Sequence, residues 1–72
     1  MLSDLEVSQV IARLAGDVSG TRHARGLSLR DLATETGVSL AMLSRIERGK
    51  TPDAASLIRL ARWLIAQAGR RT

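Results

Sequence analysis

Hydrophobic residues recur every three or four positions in several segments of the chain, and this spacing predicts helices. Before the first segment, Ser3 and Glu6 form the signature of a capping box, so a helix should begin near Asp4. Its apolar positions are Leu5, Val10, Ile11, Leu14 and Val18. A glycine in a helix interior costs about 1 kcal/mol relative to alanine. The segment to residue 25 therefore forms either one helix or a pair with a break near Gly16 and Gly20. We favour one long helix. Gly16 and Gly20 either let another helix approach closely or mark a weak point on the surface.

The segment from 27 to 50 predicts two short helices joined by a sharp turn. Ser28 and Ser39 precede two apolar runs, and serine is favoured at helix N-caps. Gly37 follows the first run, where glycine adopts the left-handed conformation at little cost. Only three residues separate the helices, which is the spacing of a helix-turn-helix motif. The residues predicted to face inward are Leu29, Leu32, Ala33, Leu43 and Ile46, with Met42 at the edge; those predicted to face outward are Leu40, Ala41, Ser44, Arg45 and Arg48.

A last helix is predicted over residues 53–67, starting at Pro52 and Asp53 and stopping before Gly69. Its core stripe consists of Leu57, Leu60, Ala61 and Leu64. Ile58, Trp63 and Ile65 lie elsewhere around it, and a helix that is apolar on several sides is normally covered on several sides. The cover is either residues 5–18 or a second copy of the chain. We expect both to contribute, with Ile58, Trp63 and Ile65 at or near a dimer interface. The alternative for Trp63 is packing within one monomer.

Residues 27–50 resemble the helix-turn-helix of the phage-repressor and Cro-type (XRE-like) family of bacterial DNA-binding domains. The similarity continues more loosely through the last helix and back to about Val18. The resemblance implies an all-α fold, a compact four- to five-helix bundle of the lambda-repressor-like type. This chain would form one such domain over residues 1–72, with an extended N-terminal helix and without the usual C-terminal fifth helix. The matching residues are Leu27-Ser28, Leu32-Ala33, Gly37-Val38-Ser39 and Leu43-Ser44-Arg45-Ile46-Glu47-Arg48-Gly49-Lys50.

The resemblance also implies a mechanism, in which the second helix of the motif lies in the major groove of double-stranded DNA. Arg45 is the main candidate for reading a base, because a guanidinium pairs with guanine O6 and N7. The family commonly has polar side chains where this chain has Leu40 and Ala41, which offer apolar contact, for example with a thymine methyl. An ion pair between Arg22 and Glu47 is also implied. The residues expected to face bases are Leu40, Ala41, Ser44 and Arg45; those expected to contact phosphates are Ser28, Arg30, Arg48 and Lys50.

Composition is consistent with this function. The net charge of +4 favours polyanionic partners, although solubility alone also accounts for such a charge. Cysteine is absent and His23 is the single histidine, so neither a metal site nor nucleophilic catalysis is predicted. Asp31 and Glu35 look like ordinary surface carboxylates. We expect no enzymatic activity, no cofactor and no small-molecule ligand. Trp63 is the only aromatic residue, which disfavours single-strand and RNA binding.

The sequence therefore predicts a DNA-binding transcriptional regulator, more often a repressor in this family. We expect a homodimer that is cytoplasmic, associated with the nucleoid when bound, and encoded by a bacterium or phage, with no membrane association. A protein antagonist or partner stays open. The alternative function is a protein-interaction module, such as an antitoxin-like domain that binds a partner with the same fold.

Overall fold

The computed structural model describes residues 2–69 and shows four helices with no strand among those residues. They are α1 (Asp4–Ala24), α2 (Leu29–Thr36), α3 (Leu40–Glu47) and α4 (Ala54–Gly69). The predicted all-α bundle is confirmed, and the N-terminal segment is one helix rather than two. At its start, the Glu6 N–H donates to the Ser3 hydroxyl at 3.2 Å, and the Ser3 N–H donates to the Glu6 carboxylate at 3.1 Å. None of these helices is long and apolar enough to cross a membrane.

The glycines of α1 do not mark a close approach of another helix. A Cβ atom added at Gly16 or Gly20 would meet no atom within 4 Å. Of the two interpretations, the structure therefore shows open surface at both positions. The helix continues through Gly16 and Gly20 because its C-terminal half is held by packing against the core, where Val18 is only 3% exposed.

Gly37 ends α2 and directs the chain into α3. Its φ of 77° lies in the left-handed region, and its N–H donates to the Ala33 carbonyl at 2.9 Å. The Thr36 hydroxyl donates to the Leu32 carbonyl and accepts from the Val38 N–H, at 2.8 and 3.1 Å. Because these bonds satisfy the polar groups of the turn, Val38 can be buried between the two helices. The turn thus fixes the angle at which α3 leaves the bundle.

The core draws side chains from all four helices and from the turn. In the motif, Leu32, Leu43 and Ile46 are buried as predicted, while Leu29, Ala33 and Met42 are partly buried around them. The buried apolar residues are Val18, Leu32, Val38, Leu43, Ile46, Leu60 and Trp63.

The first turns of α1 do not cover α4, so the expectation that residues 5–18 would fold over it is wrong for their first half. Leu5 is 68% exposed and Val10 is 60% exposed. A helix of 21 residues is about 30 Å long, whereas α4 has 16 residues. The N-terminal turns of α1 consequently extend beyond the surface on which its second half packs.

Two predictions for the last helix need correction. The helix runs from Ala54 through Gly69 rather than from 53 to 67, with Asp53 just before it, where its carbonyl accepts from the Leu57 N–H at 3.0 Å. Gly69 was expected to lie outside the helix, but it belongs to it and does not have the positive φ of a glycine that ends a helix. Trp63 is not an interface residue of the kind expected, since it is only 6% exposed and packs within the monomer core.

Candidate nucleic-acid interface

The outward side of α3 is free of the protein core. Leu43 and Ile46 face inward, with 1% and 4% of their surface exposed. The opposite side of the helix therefore faces away from the bundle. All four residues expected to face bases lie on this helix: Leu40, Ala41 and Arg45 are exposed, and Ser44 is half-buried.

Polarity changes along this face from one turn of α3 to the next. The first turn begins with Leu40, which is 39% exposed, and Ala41. The hydroxyl of the N-cap Ser39 accepts from the Met42 N–H at 3.1 Å and so serves the helix itself. Within α3, side chains that can donate hydrogen bonds outward follow only at Ser44 and Arg45, while the exposed N-cap Ser39 keeps its hydroxyl hydrogen for an outside acceptor. The face is thus apolar at its N-terminal end and cationic at its C-terminal end.

The end of α3 gathers three cations around one depression. Gly49, with a φ of 86°, closes the helix: its N–H donates to the Ile46 carbonyl and the Lys50 N–H donates to the Arg45 carbonyl, each at 3.0 Å. This pair of bonds is the Schellman motif, and it fixes where Lys50 leaves the helix. The depression has a volume of about 420 Å³ and is lined by Met42, Arg45, Arg48, Lys50 and Thr51.

These cations carry uncompensated charge. Across residues 2–69, the side chains of Arg45, Arg48 and Lys50 make no ion pair and no hydrogen bond. Arg30, at the start of α2, is likewise exposed and unpaired there. Positive groups that the protein itself does not neutralise attract anions from solution.

The N-terminus of α2 differs from a simple anion site. The Ser28 hydroxyl accepts from the Asp31 N–H, and the Asp31 carboxylate accepts from the Ser28 N–H, both at 3.0 Å. The N–H of Ser28, and secondly its hydroxyl, hold the pKa of Asp31 below its ordinary value of 3.8. An ionised carboxylate of the chain therefore already occupies the helix end at which Ser28 was expected to meet a phosphate.

Arg22 and Glu47, the residues expected to pair, are in contact. The Arg22 Nε lies 3.0 Å from Glu47 Oε2, and Nη2 lies 3.3 Å from Oε1, so the contact is bidentate. The remaining nitrogen, Nη1, donates to the Leu27 carbonyl at 2.8 Å. The side chains are 12% and 28% exposed. One guanidinium thus links α1, the connection before α2, and the last turn of α3.

A second polar cluster was missed by sequence reasoning. Glu35, expected to be an ordinary surface carboxylate, accepts from Trp63 Nε1 at 2.9 Å and from Arg25 Nη1 at 2.8 Å. The same Arg25 nitrogen donates to Gln67 Oε1 at 2.9 Å. The available signal was the lone tryptophan, because a buried indole N–H needs an acceptor. This cluster ties α2 to α4 through Glu35, Trp63 and Gln67.

Catalytic or metal-binding arrangements are not seen in the part of the chain that the structure describes. No group of three or more His, Asp or Glu side chains there is placed to hold a metal ion. His23 is exposed, and its Nδ1 lies 2.8 Å from the Ser19 carbonyl oxygen within α1.

Comparison with known protein families gives a match that includes α2 and α3. The family model described as helix-turn-helix matches residues 21–64, which run from the end of α1 through most of α4. A search of curated proteins and a search of solved structures each gave no match.

Proposed function

Because the chain belongs to the helix-turn-helix family of the phage-repressor and Cro type, whose members are DNA-binding regulatory domains, we propose that it recognises a specific double-stranded sequence. In this proposal α3 enters the major groove and the protein represses transcription from the site it occupies. The observation that carries the proposal is the outward face of α3, which is free of the core and ends in unpaired cations.

Base recognition is divided along α3. Arg45 pairs with guanine O6 and N7, a contact that discriminates between bases by about 1–3 kcal/mol. Ser44 contacts a base or a phosphate, depending on its rotamer. Leu40 and Ala41 have no polar side-chain atom, so they recognise the thymine methyl by apolar contact. The resulting site combines a guanine at one end with thymine at the other.

Phosphate contacts position the domain and supply affinity without sequence preference. We assign this role to Arg48 and Lys50 beside the exit of α3 and to Arg30 on α2. Ser28 keeps its hydroxyl hydrogen for a phosphate, but the neighbouring Asp31 carboxylate opposes an anion there. Its contribution is therefore the smallest of the four.

A homodimer fits this mode of binding, since two copies of α3 would read two half-sites about one helical turn apart. Ile58 and Ile65 on α4 are 53% and 72% exposed and offer apolar surface to a second copy. Trp63 is left out of this surface, because it belongs to the monomer core.

The test is selection of bound duplexes from a random pool, followed by affinity measurements at several salt concentrations. Arg45→Ala should relax preference at one base position, whereas Arg48→Ala should weaken binding to all sequences and reduce the salt slope by about 1. Arg13→Ala is a matched control, because Arg13 is exposed on α1 and has no ion pair within residues 2–69. The proposal fails if no duplex binds at low salt, or if Arg45→Ala retains full specificity.

The exposed isoleucines of α4 also favour a second candidate, a domain that binds another protein and not DNA. Such a contact would respond little to salt, whereas binding to duplex DNA weakens steeply as salt rises. A protein that ignores DNA but binds an apolar partner through α4 would establish this alternative.

A further inference from the structure

A second apolar stripe runs along α4 beside the one that faces the core, and the two share Ala61. Its residues are spaced four, three, four and three positions apart, which is the heptad spacing of helices that pair along their length. At 3.6 residues per turn these positions fall within an arc of about 80°. The buried Leu60 and Trp63 lie on a different side of the helix. The stripe, named here the α4 seam, consists of Ala54, Ile58, Ala61, Ile65 and Ala68.

Within residues 2–69, the α4 seam is exposed at four of its five positions. Ile65 is 72% exposed and Ile58 is 53% exposed, and the alanines at both ends of the seam are exposed as well. Only Ala61, at the centre, is half-buried. Isoleucine therefore alternates with alanine at the two repeating positions of the heptad, and both isoleucines and the two outer alanines are available to a partner.

The two edges of the seam carry opposite charges. Arg62 lies at one edge and is exposed. Beyond the other edge, Asp17 of α1 lines a depression of about 420 Å³, together with Leu64 and Ala68 of α4. Within the part of the chain described, neither Asp17 nor Arg62 has an ion pair or a side-chain hydrogen bond. A cation and a carboxylate thus flank the apolar stripe, both without partners.

We propose that the partner of the α4 seam is a second copy of this chain, with the two α4 helices parallel across a two-fold axis. A two-fold axis along the seam exchanges its edges, so Arg62 of each copy faces the partner's Asp17. An axis across the seam would instead give antiparallel helices and set arginine against arginine and aspartate against aspartate, which is repulsive. The charges therefore select the parallel arrangement.

The residues of the seam agree with this choice. In the parallel arrangement Ile58 packs against the partner's Ile58, and Ile65 packs against the partner's Ile65. Ile58 and Ile65 fall at position a of the heptad, where β-branched residues favour two strands among parallel coiled coils. The alanines between them allow the helix backbones to approach closely. The inference rests on the homodimer of the proposed function and extends it by giving the full extent of its surface and the direction of its helices, but the association itself does not require DNA.

The first experiment measures association without DNA, by sedimentation equilibrium up to high micromolar concentration. We expect the mass of two chains for the unchanged protein and of one chain for Ile65→Asp, with the same helical circular dichroism. Leu5→Asp is the matched control, because Leu5 is 68% exposed on α1 outside the seam. A monomer at every concentration, or equal loss of dimer in both variants, would overturn the proposal.

The second experiment tests the direction of the pairing. Asp17→Arg and Arg62→Asp should each weaken the dimer by about tenfold, since each replaces two attractive contacts with two repulsive ones. The double variant should restore it. Because the chain has no cysteine, Ala54→Cys and Ala68→Cys can also report direction by disulfide formation. Parallel helices cross-link each variant to itself, whereas antiparallel helices cross-link only the mixture, which would refute the parallel model.

The two proposals fail in distinguishable ways. If the protein binds a selected duplex but stays monomeric, the α4 seam is not a dimer interface and the DNA-binding proposal stands. If it dimerises through the seam but binds no duplex, the seam stands and the DNA-binding proposal is lost.

Discussion

Removing the Glu47 carboxylate should destabilise the domain by about 2 kcal/mol. An exposed ion pair contributes about 0–1 kcal/mol, whereas stranding one partner of a buried pair costs about 3–5 kcal/mol. With side-chain exposures of 12% and 28%, the pair of Arg22 and Glu47 lies between these cases. In Glu47→Ala, Arg22 keeps its bond to the Leu27 carbonyl but loses two bonds to the carboxylate. One kcal/mol shifts the Tm of a domain of this size by about 4–8 °C, so the expected fall is about 8–16 °C.

The assay is thermal unfolding followed by circular dichroism. All variants are measured at the same protein concentration, chosen low enough that the chain is monomeric. Glu47→Gln keeps an acceptor without the charge and should lose about half as much. Arg22→Ala, Glu47→Ala and the double variant form a cycle whose coupling energy reports the pair itself. Arg13→Ala controls for loss of an α1 arginine without a partner. If Glu47→Ala melts at the same temperature as Arg13→Ala, the contact does not brace α3 and the reasoning is refuted.

Three further predictions concern the cap, the turn and the missed cluster. Above pH 3.8, Asp31 stabilises the fold, and because its pKa is lowered in the folded state this contribution is lost as the pH falls through that lower value. Asp31→Asn should reduce the decrease in Tm that occurs as the pH is lowered, and it should tighten DNA binding. If Tm decreases with pH as much as in the unchanged protein, the capping role of Asp31 is contradicted. Gly37→Ala should lower the free energy of unfolding by about 1–2 kcal/mol, because residue 37 has a φ of 77°. Gly16→Ala should raise it by about 0.5–1 kcal/mol, because Gly16 is helical and a Cβ there meets no atom within 4 Å. The opposite order would refute the conformational argument. Trp63→Phe should cost about 1 kcal/mol in denaturant unfolding, since Glu35 loses a donor, and no loss would show that the bond is unimportant.

The N-terminus of α2 illustrates a competition between the chain's own carboxylate and an external phosphate, which the sequence motif does not reveal. Ser28 was expected to offer its hydroxyl and the free N–H groups of a helix end to a phosphate. In the structure the Asp31 carboxylate accepts a hydrogen bond from the Ser28 N–H, and the Ser28 hydroxyl accepts one from the Asp31 N–H. The same local signal that starts the helix thus reduces its attraction for an external anion. Affinity for phosphates is then expected to rest on Arg30, Arg48 and Lys50.

Local features of this protein were determined by the sequence alone. The capping residues Ser3, Ser28 and Ser39, and the left-handed Gly37, define where helices start and stop through hydrogen bonds that reach at most four residues along the chain. The same holds for the inward positions Leu32, Leu43 and Ile46, which follow from helical spacing. The pairing of Arg22 with Glu47 was available from resemblance to a family, not from spacing.

Only the tertiary structure decided which apolar surface is buried and which stays open. Trp63 and Ile65 are two positions apart on one apolar helix, yet Trp63 is 6% exposed and Ile65 is 72% exposed. Residue type does not separate them, because both are large and hydrophobic; the packing of α2 against α4, with Glu35 accepting the indole N–H, does. In the same way the length of α1 relative to α4 left Leu5 exposed. Burial depends on which elements meet in space, and a periodic pattern gives the faces of a helix without naming what lies against each of them.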